Sequence, residues 1–114
     1  MLQINVEQVQ QDRYVSVVGE IDIDVMEQFR TDIMAAAGDA RGVVTIDASQ
    51  LGYAYSDGLG VLVELQARLS RVGGRIRILN PTLILRNLFA VTALDRIIPI
   101  VELKENALTT TGRE

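Results

Sequence analysis

The sequence contains no cysteine and no histidine. Without cysteine there is no disulfide and no thiolate nucleophile. Without histidine there is no imidazole base or triad, and the usual zinc ligand sets are excluded. Tryptophan is absent too, and aromatic residues make up only 4% of the chain. A core here must be assembled from Val, Ile, Leu and Ala, which suits β-branched strands packed under leucine-rich helices. Positive charge is scarce: 11 Lys and Arg stand against 15 Asp and Glu, a formal charge of −4, and Lys104 is the only Lys. A mildly acidic chain lacks the clustered cations that a nucleic-acid backbone demands, so nucleic acid is not an expected partner. No apolar run approaches the roughly 20 residues that cross a bilayer. The opening Met1-Leu2-Gln3-Ile4-Asn5-Val6 alternates, unlike the apolar stretch of a signal peptide. Direct membrane insertion is therefore not expected, and the cytoplasm is the natural compartment.

What is present is a hydrophobic fraction of 48% in 114 residues, enough for one domain with one core. Leu2, Ile4, Val6 and Val9 alternate with polar residues and predict a half-buried strand. After the polar turn Gln10-Gln11-Asp12, Tyr14 to Val18 predicts a second strand that stops at Gly19, so the two form an antiparallel hairpin. Asp24, followed three residues later by Glu27, has the form of a capping box. Met26, Phe29, Ile33 and Ala36 or Ala37 then recur at helical spacing, with Gly38 as the stop. Val43 to Asp47 is a continuous β-branched run of the kind found in a central strand. Ala48 to Tyr55 reads as a loop leading into a second helix from about Asp57 to Val72. Its buried stripe is Leu62, Leu65, Leu69 and Val72, and Glu64 and Arg68 have the favoured spacing for an ion pair. Gly73-Gly74 ends it, and Arg75 to Leu79 alternates as a strand.

Asn80-Pro81 marks the start of a third helix, and Ile98 to Val101 a last strand, with a tail from about Leu103 that is either frayed or a short helix. The order β-β-α-β-α-β-α-β belongs to an α/β domain with a mixed sheet. The third helix is unusually apolar: Leu83, Ile84, Leu85, Leu88, Phe89, Val91 and Leu94 cover most of its circumference. Either part of it faces another protein or it is buried more deeply than a surface helix normally is.

Three places can carry chemistry. Ser56-Asp57-Gly58-Leu59-Gly60 puts a serine at the start of the second helix, where it serves as a simple cap or as an acceptor for a phosphate. First-turn amides and the helix dipole favour an anion there, and a phosphate would add about two negative charges beside Asp57. Gly58 and Gly60 resemble part of a phosphate-binding loop, but no Walker lysine or third glycine follows, and glycines at a helix start more often allow close packing on a sheet. Asp22 and Asp47 fall at strand ends. As a pair they suit magnesium or hydrolysis, and singly they read as a turn residue and an end-of-strand cap, which is the reading favoured here. No metal or cofactor is expected.

The run Asp47-Ala48-Ser49-Gln50-Leu51-Gly52-Tyr53-Ala54-Tyr55-Ser56-Asp57-Gly58-Leu59-Gly60-Val61-Leu62 resembles, without a gap, the STAS-domain signature D-L-S-x-V-x-F-x-D-S-S-G-L-G-x-L. Gly19-Glu20-Ile21-Asp22 is similar to that family's G-E-L-D, and Gly73-Gly74, Asn80-Pro81 and the leucine-rich helix continue the likeness to about Val101. The resemblance implies a single STAS domain over residues 1–114, with a mixed-sheet α/β fold. It further implies an anti-sigma factor antagonist and not an enzyme: a protein that binds an anti-sigma factor with serine kinase activity and so releases a sigma factor. In that family, phosphorylation at the first serine of D-S-S-G breaks the complex and a phosphatase restores it. That position is Ser56 here, and the docking surface implied comprises Asp22, Tyr55, Ser56, Asp57, Gly58, Leu59, Leu83, Leu85 and Phe89. Two residues depart from the signature: Tyr55 stands where the acidic residue usually precedes the acceptor, and Asp57 stands for the second serine. Asp57 restores a negative charge one position over, weakens kinase recognition, or holds the site in a phospho-like state. Other family members are unphosphorylated scaffolds or accessory subunits of membrane transporters, which is the alternative reading.

Overall fold

A computed structural model describes residues 1–103, so the tail expected beyond Leu103 lies outside the described residues. The chain runs β1 (Leu2–Val9), β2 (Asp12–Ile21), a 3-10 turn (Ile23–Val25), α1 (Met26–Ala37), β3 (Val43–Asp47) and β4 (Leu51–Ala54). It continues with α2 (Ser56–Ser70), β5 (Arg75–Leu79), α3 (Leu83–Val91), a second 3-10 turn (Leu94–Arg96) and β6 (Ile100–Val101). The mixed α/β architecture expected from the sequence is present. The sheet has the order β1-β2-β3-β5-β6, with β1 antiparallel to β2 and the remaining pairs parallel.

The period of two decides which side of the sheet is dry. Val15 and Val17 of β2, Val44 and Ile46 of β3, and Ile76 and Ile78 of β5 point one way and are almost completely buried. They meet Phe29 and Ile33 of α1, Leu62, Leu65 and Leu69 of α2, and Leu85 and Phe89 of α3 in one core. The alternate residues face away from the helices and carry polar pairs: Tyr14 donates to Asp47, and Arg77 Nε donates to Thr45 Oγ1 at 2.9 Å.

Local chemistry departs from the sequence reading at several places. β2 does not stop at Gly19 but continues to Ile21, bending at a register shift between Gly19 and Glu20. Gly19 has φ +116°, and a Cβ there would lie 2.0 Å from the Met1 carbonyl oxygen, so only glycine fits. The segment expected as a loop contains β4, whose Tyr53 and Ala54 pair with Glu20 and Ile21. Asp22, not Asp24, is the cap: its Oδ1 accepts from the amides of Asp24 and Val25 at 3.0 and 3.2 Å. Thr82, not Asn80, caps α3, and Asn80 adopts a left-handed conformation with its side-chain oxygen accepting from Leu103 N at 2.8 Å. α2 ends at Ser70, which leaves Val72 exposed beyond it. Glu64 pairs with Arg30 of α1 instead of Arg68, while Arg68 Nε reaches the Gly38 carbonyl at 3.0 Å. Both contacts tie α1 to α2.

Candidate functional site

The parallel strands all end on one edge of the sheet, where their loops converge, as in other open α/β sheets. Asp22 follows β2, Ala48 to Gln50 follow β3, Tyr55 to Asp57 follow β4 and Asn80 to Thr82 follow β5. Backbone hydrogen bonds lock these loops together: Tyr55 N donates to Ile21 O at 2.7 Å, Gly19 N to Gln50 O at 3.0 Å and Ala48 N to Leu79 O at 3.0 Å. Tyr55 thereby lies beside the residue preceding Asp22. Ser56 then opens α2 as its first helical residue, with Tyr55 in the capping position.

Ser56 is not a cap. Tyr55 contributes no side-chain cap either, so α2 begins with its first-turn donors uncapped by any side chain. The Ser56 side chain is exposed and enters none of the side-chain hydrogen bonds among the described residues, and its neighbours Tyr55 and Asp57 are exposed as well. Gly58 and Leu59 turn the other way and are buried. A Cβ on Gly58 would sit 3.2 Å from Ile21 Cγ2, so this glycine lets α2 lie close on β2, whereas Gly60 has open space around it. The two glycines are packing and solvent positions, not a phosphate cradle.

Of the residues expected to dock a partner, the structure brings Asp22, Tyr55, Ser56 and Asp57 to one half-exposed or exposed edge. It withdraws four others. Gly58 and Leu59 face the core, and Leu85 and Phe89 are 0% and 2% exposed, because they form the i, i+4 stripe by which α3 grips the sheet. The surface of α3 belongs to Leu83, the ninth residue expected to dock, and to Ile84 and Val91, exposed at 71%, 61% and 84%. Together with Asn87 and Ala90 they form one solvent-facing stripe. Helix phase alone distinguishes the two sets, since positions 83, 84, 87, 90 and 91 share one face opposite Leu85 and Phe89. α3 packs on β4, the strand that leads directly into Ser56, and Thr82 Oγ1 reaches the Leu51 carbonyl at 3.3 Å. α3 is thus anchored on the strand that leads into Ser56.

The two aspartates singled out by the sequence do separate jobs. Asp22 caps the turn before α1. Asp47 accepts from the Tyr14 hydroxyl, from Ser49 N at 3.0 Å and from Ser49 Oγ at 2.7 Å. Burial works against the Asp47 carboxylate, but the hydrogen bonds from Tyr14 and Ser49 outweigh it and hold the carboxyl below its ordinary range. Tyr14 responds in the opposite sense: burial first, then its bond to Asp47, push the phenol up to about 12. Among the described residues no group of three or more acidic side chains gathers as a metal site, and no helix is long and apolar enough to cross a membrane.

Comparison with known proteins agrees with this fold. A family model described as "Mlab, STAS domain" matches residues 4–102. An anti-sigma factor antagonist from Mycobacterium paratuberculosis is 26% identical, with 96% of this chain and 93% of that one covered at a TM-score of 0.79. The anti-sigma factor antagonist SpoIIAA in its unphosphorylated form is 24% identical over 97% and 96% of the two chains, TM-score 0.76. The Bacillus cell fate determinant SpoIIAA in its phosphorylated form is 20% identical over 97% and 100%, TM-score 0.66. No curated protein matches the chain.

Proposed function

From the premise that the chain belongs to the STAS domain family, we propose that it is a single-domain anti-sigma factor antagonist, a binding switch and not an enzyme. Its partner is a cytoplasmic anti-sigma factor with serine kinase activity, which it occupies so that a sigma factor is released. Phosphorylation of Ser56 ends the complex and a phosphatase renews it. The observation that carries this reading is the Ser56 side chain, exposed at the first turn of α2 beside the exposed Tyr55 and Asp57. SpoIIAA, a structural neighbour, exists in unphosphorylated and phosphorylated forms, which favours a switch of this kind.

The physics of the switch is charge. The uncapped amides at the start of α2 favour an anion, so a phosphate on Ser56 would be tolerated by the fold itself. The same phosphate adds about two negative charges next to Asp57, enough to repel a partner surface fitted to a neutral hydroxyl. Asp57 supplies part of the acidity that the family places before the acceptor, and Tyr55 offers an aromatic contact in its stead.

The test is binding of the cognate kinase to three proteins. Wild type and Ser56→Ala bind alike, and Ser56→Glu binds at least about tenfold more weakly. Equal binding by Ser56→Ala and Ser56→Glu rejects the switch. Recovery of transporter subunits in place of a kinase on co-purification returns the reading to an accessory STAS subunit.

A further inference from the structure

The open edge of the sheet points to a second function of the surface, independent of the reading above. β1 is an outer strand of eight residues, paired on one side only among the described residues. The ladder direction can be worked out along its length. Glu20 N donates to the Met1 carbonyl, so residue 1 points toward β2, and Gln3, Asn5, Glu7 and Val9 follow it by alternation. Leu2, Ile4, Val6 and Gln8 therefore aim their backbone groups outward. At one end this edge is closed, because Gln28 Nε2 of α1 donates to the outward Leu2 carbonyl at 3.3 Å. Among the described residues, the outward groups of Ile4, Val6 and Gln8 have no such cover.

Edge strands are normally protected by lysine, proline or a bulge. β1 has none of these, and its pairing with β2 is regular from Leu2 to Val9. Its only charge is Glu7. Val6 is half-exposed over a groove that it forms with Ile4, Asp32, Ala35 and Ala36, the helix side of that groove being built of small residues.

We infer that β1 is a self-association edge, pairing antiparallel with β1 of a second copy about a two-fold axis through Val6. The register follows from what each alternative would meet. Centred on Val6, the outward residues match as Val6 with Val6 and Ile4 with Gln8, each pair exchanging two backbone hydrogen bonds. Glu7 then stands opposite Asn5, an amide that can donate to it. Shifting one way, to a two-fold through Asn5, requires the Leu2 edge that Gln28 already occupies. Shifting the other way, to a two-fold through Glu7, sets the two like charges face to face. The Val6 register alone leaves all outward groups of the open segment paired and the two Glu7 side chains apart, and a second copy is the occupant that matches it. It also brings the small residues Ala35 and Ala36 of the two α1 helices toward each other on the same face.

Sedimentation velocity of the full chain, from micromolar to millimolar concentration, tests this. Wild type shows a concentration-dependent dimer. Val6→Pro removes only an outward N–H and leaves the β2 ladder intact, so it raises the dissociation constant about tenfold or more. Asn5 lies on the exposed polar face, so its variants probe the register without touching the core. Asn5→Glu, opposite Glu7, weakens the dimer, and Asn5→Lys strengthens it. A wild type that stays monomeric throughout overturns the inference. So does a dimer indifferent to both Val6→Pro and Asn5→Glu, which would place the contact elsewhere.

Discussion

α2 and α3 lie against the same sheet, and they use their apolar residues differently. α2 buries nearly all of its large ones: Leu59, Leu62, Leu65 and Leu69 are at most 6% exposed, while Glu64 and Arg68 face outward and tie it to α1. α3 buries Leu85 and Phe89 to the same degree but turns Leu83, Ile84 and Val91 to solvent. The inner faces are equivalent, and the outer faces are opposites. A helix that only had to complete the fold would resemble α2. The surplus apolar surface of α3 is the place where the proposed partner would dock, and it lies outside the buried core.

Four expected outcomes test that contrast, in falling order of size. Truncation of either inner face should cost the same: Leu65→Ala and Phe89→Ala each lower unfolding free energy by ~3 kcal/mol in urea titration. A Phe89→Ala cost below ~1 kcal/mol would break the equivalence. On the outer face of α3, Ile84→Ser with Val91→Ser should weaken partner binding by about 10- to 100-fold, a loss of ~2 kcal/mol, and leave stability within ~0.5 kcal/mol. A large fall in stability with unchanged binding would make that face part of the fold.

On the far side of the sheet, Tyr14→Phe removes a hydrogen bond to a carboxylate and should cost ~1 kcal/mol without altering partner affinity. Its pH signature is directional. Tyr14 is raised from 10.0 to about 12, so its contribution is complete below the unfolded value and fades as pH climbs toward about 12. Asp47 is lowered, so its contribution holds above the ordinary carboxylate range and fades as acid brings pH through the depressed value. Tyr14→Phe should flatten the alkaline loss of stability, and an unchanged alkaline limb would disprove the coupling. Smallest of all, Arg30→Ala should cost no more than ~0.5 kcal/mol, since its pair with Glu64 is half-exposed on both sides.

The sequence revealed this architecture wherever a pattern was long enough to carry a period. β1, α1, β3 and β5 fall where their alternation or helical spacing put them. It failed where the deciding interaction came from elsewhere in the chain. β4 is four residues with a glycine in it, too short for a period, and exists because Tyr53 and Ala54 find Glu20 and Ile21. Asp24 and Asn80 carry good capping signatures, yet Asp22 and Thr82 do the capping, because tertiary packing sets where each helix can begin. For the site, the motif located Ser56, Tyr55, Asp57 and Asp22 at the edge they occupy. It could not divide the apolar residues of α3 between core and surface. The phase was present in the spacing, but with almost every position apolar, composition no longer marked which side was which.

Hydrogen exchange on the chain free and bound to the proposed anti-sigma kinase reads this most directly. The account predicts slowed exchange from Tyr55 to Gly58 and along Leu83 to Val91, with the polar face around Tyr14 and Asp47 unchanged. Slowing confined to that polar face, with α3 and the start of α2 exchanging as in the free protein, would contradict it.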